Sequence, residues 1–188
     1  MASQEPATSE QSSPRYIYKI APASPAPDLS EVKGGQSSPV LPPSDLDMSS
    51  NFIHMSTASQ VPGTLERFFP VSTDKRSVIY LLRVELEPLE KQDGVVKWES
   101  PDATVCGPRP GEGLFPHLYF DEDQTQDEES EEVVSGGGLD SRKVKSRKEE
   151  RRLWLKKDEI ESGREVVVEA DAEGGWTQAL TALHGWLI

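Results

Sequence analysis

The sequence predicts an α+β domain, and three observations carry that prediction. RYIYKI, SVIYLLRVEL and REVVVEA concentrate the β-branched and aromatic residues that suit strands. STASQVPGTLERFF and GGWTQALTALHGWLI instead repeat apolar residues at helical spacing. The order is strand, helix, several strands, helix, which differs from the regular alternation of a parallel-sheet fold.

Residues 1–14 are polar and read as a disordered tail, so the single domain spans 15–188. Its first strand is RYIYKI, with Tyr16, Ile17, Tyr18 and Ile20. The segment that follows, 21–50, is dense in Pro, Ser and Gly and reads as loop, with one short helical turn around Asp28 to Val32. A connection of that length inside a domain is either mobile or folded over a cleft. FIHMS is a short strand. The helix after it carries Val61, Leu65 and Phe68 on one face, and Thr57 with Gln60 three residues later gives a capping-box signature. Pro62 shifts the start of that helix beyond Thr57, because a proline past the first turn removes a backbone bond. SVIYLLRVEL is apolar on both sides over most of its length, which places it centrally in a sheet with GVVKWE as its partner. LFPHLYF becomes strand beyond its proline.

DEDQTQDEESEE then brings eight acids without a base, and RKVKSRKEERRLWLKK brings nine Lys or Arg, with SGGGLD between them. The opposed blocks predict a charged, flexible insertion over 121–150. It is either a plain solvated excursion or a protein-partner surface through 121–157. REVVVEA resumes strand chemistry, and the last helix puts Trp176, Leu180 and Leu183 on one side. Gly185 is placed to stop it, with Trp186 to Ile188 as a short terminal strand and His184 where a helix C-terminus favours a cation.

Charge narrows the partners. The 188 residues hold 33 Asp or Glu against 20 Lys or Arg, a net charge of −13, which repels phosphate backbones and excludes nucleic acid as a default partner. A mean hydropathy of −0.58 goes with the polar tail and insertion. Cys106 is the single cysteine, so neither an intrachain disulfide nor a cysteine-built zinc cluster is expected. The amino-terminal stretch has no signal-peptide pattern and no run reaches bilayer-spanning length; the expected location is the cytosol, with access to the nucleus, and no membrane partner.

Phosphate-loop, GxGxxG, HExxH and GxSxG motifs are missing. What remains is a set of polar side chains in apolar settings: His54, Ser56, Thr57, Glu99, His117 and Tyr119. Alternation puts Phe52, His54 and Ser56 on one strand face and Ile53 and Met55 on the other. An imidazole there can bond a ligand hydroxyl, and Ser56 and Thr57 stand near a helix N-terminus that favours phosphate. The competing assignment makes Thr57 a helix cap and His54 a satisfied core residue. His117 and Tyr119 share a face in the same manner, the tyrosine able to stack on a flat heterocycle or to anchor its strand. Glu99 is either ion-paired or a cleft carboxylate. The histidines are too far apart in sequence to imply a metal box, so no metal is expected. Cys106 has no indicated base and is not read as a nucleophile.

IYKI, FIHMSTASQVPGTLERFF, YLLRVEL, WE and FPHLY follow one another over residues 16–120, and together they resemble the uncharacterised family that carries the number 952 among domains of unknown function. That family is similar in fold to the ADP-ribosyltransferases, small α+β proteins whose split sheets hold NAD in the cleft between them. The resemblance implies a small split-sheet domain with NAD as ligand or substrate. It also implies that His54 with Ser56 grips the ribose and nicotinamide, that Tyr119 stacks on the flat ring, and that Glu99 stabilises oxocarbenium charge. Three positions depart from the pattern. Met55 stands where the transferases often have glycine, and Asn51 and Phe120 stand where the family commonly has glycine before FIH and after HLY. The expected function is nucleotide binding in a histidine-lined cleft, extending to ADP-ribosyl transfer or NAD glycohydrolysis with His54 and Glu99 as catalytic groups. Catalysis itself is left open. The alternatives are a non-catalytic interaction protein using the charged insertion and an enzyme acting on another small phosphorylated metabolite.

Overall fold

Alternation in the first strand, β1 (Tyr16–Pro22), decides how the layers stack, because Tyr16 and Tyr18 enter one core while Ile17 enters another. The computed structural model describes residues 13–30, 40, 42–92, 94–101, 111, 113–120, 155–170 and 172–188. After β1 come α1 (Asp45–Ser50), β2 (Ile53–His54), α2 (Val61–Phe68), β3 (Ser77–Glu85), α3 (Leu86–Lys91), β4 (Gly94–Glu99), β5 (Phe115–Phe120), β6 (Ile160–Val168) and α4 (Gly175–Thr181). They form two antiparallel three-stranded sheets, ordered β1-β3-β6 and β2-β5-β4. The α+β class and the division into two sheets agree with the sequence expectation.

The first sheet lies between two cores. On one side Tyr16, Tyr18, Ile79, Leu81, Val166 and Val168 pack against Val61 and Leu65 of α2 and Trp176 and Leu180 of α4. On the other side Ile17, Leu82 and Val84 meet Ile53, Met55 and Leu118 of the second sheet, closed at one end by Leu86 and Leu89 of α3. β3 supplies both cores from alternate positions, which is why its sequence is apolar on both sides. Gly94 opens β4 where a Cβ would stand 2.9 Å from Leu89 and 3.0 Å from Leu118, so this approach of sheet and helix needs glycine.

Several expectations are corrected. GVVKWE does not pair with SVIYLLRVEL: β1 and β6 occupy both edges of β3, and β4 pairs with β5 instead. The described helix of the long Pro/Ser-rich connection is α1, initiated by Ser44 whose side chain accepts from the Asp47 amide in a full capping box; the turn expected at Asp28 to Val32 runs into residues 31–39, which lie outside the described residues. α2 begins at Val61 with Pro62 in its first turn, beyond Thr57 as the proline implied, and of the Thr57–Gln60 box Gln60 Oε1 accepts from Thr57 N at 3.0 Å. α4 ends at Thr181, three residues short of His184. Trp186 to Ile188 form no strand, because their backbone groups are taken by turns and side chains: Trp186 N donates to Leu183 O, Tyr18 Oη accepts from Ile188 N, and Arg83 donates to Trp186 O. Residues 1–12 of the expected tail 1–14, Cys106 and the insertion 121–150 lie outside the described residues. Among the described residues no helix is long and apolar enough to cross a membrane.

Leu82 is fully buried between the sheets, whereas Val95 on β4 is exposed. Leu82→Ala is expected to lower unfolding free energy by about 2–5 kcal/mol. Val95→Ala should change it by less than about 0.5 kcal/mol. Urea denaturation of both variants checks the contrast.

Candidate functional site

Besides their packed faces, the two sheets are joined among the described residues by one antiparallel backbone bridge: Tyr18 N donates to Ser56 O at 2.8 Å, and Ser56 N donates to Tyr18 O at 2.9 Å. Pairing stops there. Lys19, Ile20 and Pro22 on one side and His54 and His117 on the other face a cavity of about 270 Å³. Its walls are largely apolar, with Leu46 of α1, Phe68 and Phe69 at the end of α2, and Phe115 at the start of β5.

His54 and His117 are direct cross-strand partners in the β2–β5 ladder, so their side chains leave the same face. The rings lie 5.4 Å apart, edge to face, and Phe52 stacks on His117 at 4.1 Å and contacts His54 at 4.5 Å. Each imidazole is held by a carboxylate. His54 Nδ1 donates to Asp47 Oδ1 at 2.9 Å, and the His54 backbone N donates to the same oxygen at 2.9 Å. His117 Nδ1 donates to Glu99 Oε2 at 2.9 Å, an oxygen that also accepts from Tyr119 Oη at 2.8 Å. A carboxylate only accepts, so both bonds place a proton on Nδ1, and in a neutral ring the lone pair then lies on Nε2. Among the described residues neither Nε2 has a hydrogen-bond partner.

Asp47 is 1% exposed and is the anchor of this corner. Its Oδ2 accepts from Lys19 Nζ at 2.6 Å and from Ser44 Oγ at 2.7 Å. Burial alone would raise its pKa, but the His54 hydrogen bonds and the Lys19 charge outweigh burial and hold the carboxyl well below its usual range. For His117 burial dominates and pushes the imidazole below its usual 6.5, against the Glu99 hydrogen bond; the neighbouring His54 adds to the lowering. Glu99 is lowered by the hydrogen bond from His117 first and from Tyr119 second. Tyr119 is pushed up to about 12, by burial and then by its bond to Glu99. Lys97 Nζ covers the other side of that ring, 4.1 Å from its centroid.

Of the sequence candidates, His54, Ser56 and His117 line the cavity. Thr57, Glu99 and Tyr119 are not in its wall: Thr57 bonds Ser59 and Gln60, while Glu99 and Tyr119 stand behind His117. Two members of the site were not anticipated. Asp47 is signalled by the spacing Ser44 to Asp47, a capping box inside a stretch otherwise read as loop. Lys19 is signalled by a charge inside the strand YIYKI, on the inward face of Ile17. Asn51 takes φ 63° at the end of α1, a left-handed conformation that asparagine tolerates and glycine adopts freely. No group of three or more metal-ligating side chains occurs among the described residues.

A profile of the family described as "Protein of unknown function (DUF952)" matches residues 24–128, more than half of the chain. No curated protein matches. Among solved structures, the crystal structure of protein CC0527 from Caulobacter crescentus shares 22% identity, covering 83% of this chain and 90% of that chain with a TM-score of 0.45. A double mutant of the same bacterial protein gives the same identity and coverage with a TM-score of 0.44.

Two predictions come from the buried charges. Lys19→Met leaves Asp47 without its cation and is expected to cost about 3–5 kcal/mol in chemical denaturation. The pH dependence has two stages. Neutral His117 contributes stability that is complete above its unfolded value of 6.5 and declines as the pH falls below it. Asp47 and Glu99, both lowered in the fold, contribute stability that is complete above their unfolded values of 3.8 and 4.5 and is lost below them. Melting temperature should therefore drop first below about pH 6.5 and more steeply below about pH 4.5. In His117→Gln the first drop should shrink.

Proposed function

Because the chain belongs to the DUF952 family, whose function is unknown, its chemistry rests on the cavity itself, and we propose that this cavity binds an NAD-like nucleotide by its nicotinamide riboside end. The observation that carries the reading is the pair of cross-strand imidazoles, His54 and His117, set 5.4 Å apart against an aromatic and aliphatic wall. Two adjacent Nε2 acceptors suit the vicinal hydroxyls of a ribose, each of which can donate one hydrogen bond. Phe68, Phe69 and Phe115 supply apolar surface for a flat ring. A space of about 270 Å³ suits a nucleoside-sized fragment, so the adenylate half of a dinucleotide would extend outside. The resemblance to the ADP-ribosyltransferases favours NAD among nucleotides. In this arrangement Glu99 and Tyr119 act on the ligand through His117.

Calorimetric and thermal-shift titrations with NAD, nicotinamide riboside, ADP-ribose and AMP test the reading. NAD and nicotinamide riboside should stabilise the protein, and by at least tenfold more weakly in His54→Ala, equivalent to about 1.4 kcal/mol. Stabilisation by AMP alone would move the proposal to another phosphorylated metabolite. Silence from all four compounds would refute a nucleotide site.

A further inference from the structure

Resting on the nucleotide reading above, we propose that Arg67, in the last turn of α2, binds the 5′-phosphate of the nucleoside held in the cavity, so that the site selects phosphorylated nucleotides over free nucleosides. The cavity wall itself has no charge to spare for a phosphate. Its one lysine or arginine among the described residues is Lys19, whose Nζ is committed to Asp47 at 2.6 Å and whose side chain is only 9% exposed. The chain as a whole carries a net charge of −13. An anionic group that leaves the cavity toward solvent therefore needs a local cation to offset the surrounding field.

Arg67 supplies that cation at the mouth. Its neighbour Phe68 lines the cavity and is 39% exposed, and the Arg67 guanidinium lies over the Phe68 ring, 5.8 Å from the centroid. Arg15, Arg76 and Arg83 are each tied to a glutamate, respectively Glu85, Glu165 and Glu161. Arg67 has no such carboxylate among the described residues. The residues three and four positions before it on the helix are Thr64 and Gly63, and the adjacent Glu66 accepts from Thr177 of α4 instead. With the flat ring of the ligand against the phenylalanines and the ribose on the two histidines, the nucleoside continues outward through its 5′ carbon, and a phosphate there comes within reach of the long arginine side chain. The planar guanidinium can give that phosphate two parallel N–H bonds. A cation in the last turn also complements the helix dipole, a role that acts on helix stability and has no effect on the choice between phosphorylated and unphosphorylated ligands.

The test is calorimetry of the full chain with nicotinamide riboside and with nicotinamide mononucleotide, which differ only by the 5′-phosphate, and the quantity read is the ratio of their affinities. The unaltered protein should bind the mononucleotide about fivefold more tightly, the scale of an exposed ion pair. In Arg67→Gln the ratio should fall toward one. Lys91→Gln on α3 removes the same charge outside the cavity wall and should keep the ratio, which separates a local contact from the overall field. A second arm repeats the unaltered protein in about 0.02 M and about 0.5 M salt, where screening of an exposed pair should erase most of the preference. This arm decides the question even if a variant does not fold. Equal binding of the two compounds by the unaltered protein, a preference that ignores salt, or a preference that survives in Arg67→Gln each overturns the role of Arg67 and leaves the nucleotide reading standing. Absence of binding by both compounds removes the nucleotide reading and this inference with it.

Discussion

The carboxylate of Asp47 is the constraint on which the cavity depends. An ionised group that is 1% exposed is costly unless every lone pair is matched, and here five donors from three parts of the chain meet it: Lys19 of β1, the hydroxyl and amide of Ser44 before α1, and the ring and amide of His54 in β2. None of those elements could move alone without leaving a charge unmatched. That requirement fixes a six-residue helix, too short to be stable by itself, against the edge of two sheets. It also presents Leu46, the neighbour of Asp47, to the cavity.

The cavity opens where the one backbone bridge between the two sheets among the described residues ends. Tyr18 and Ser56 exchange both backbone bonds, and the next residues of each strand then take up other partners. β1 continues along β3, while Met55 N donates to Pro116 O and binds its segment to β5. The polar groups that line the gap are consequently side chains, held by second partners of their own, rather than loose backbone. A site built on strands in this way keeps its geometry before a ligand arrives, which lowers the ordering cost of binding.

Much of this was legible in the amino-acid pattern, and the reasons differ by element. β1, β3 and β5 could be read because their side chains alternate or are buried on both faces, and alternation alone put His54 with Phe52 and His117 with Tyr119. The pairing of β4 could not be read that way, since a strand's own pattern reports its burial and not which neighbour has a vacant edge. α1 was hidden by its flanking Pro and Ser residues, although its capping box is written in Ser44 and Asp47. The convergence of Asp47 on His54 joins a helix and a strand only seven residues apart, yet its energetic meaning depends on Lys19 arriving from β1, a long-range contact with no local signature. Glu99 shows the complementary case: its proximity to a histidine site was legible, and its position behind the ring was set by the β4–β5 register.

Two imidazoles this close also constrain one another. A proton on one disfavours a proton on the other, and His117, the more buried ring, is already biased to the neutral form by desolvation. The pair is therefore divided by environment: one ring is enclosed and neutral, the other is partly open to water and braced by a buried anion. Asymmetry of this kind gives chemically identical side chains different surroundings, one ring enclosed beside an exposed carboxylate and the other more open beside a buried one. The buried Asp47 carboxylate holds the His54 ring and has no counterpart of equal burial at His117, whose partner Glu99 is 40% exposed. The difference between the two rings is thus set by where the fold placed its buried carboxylate.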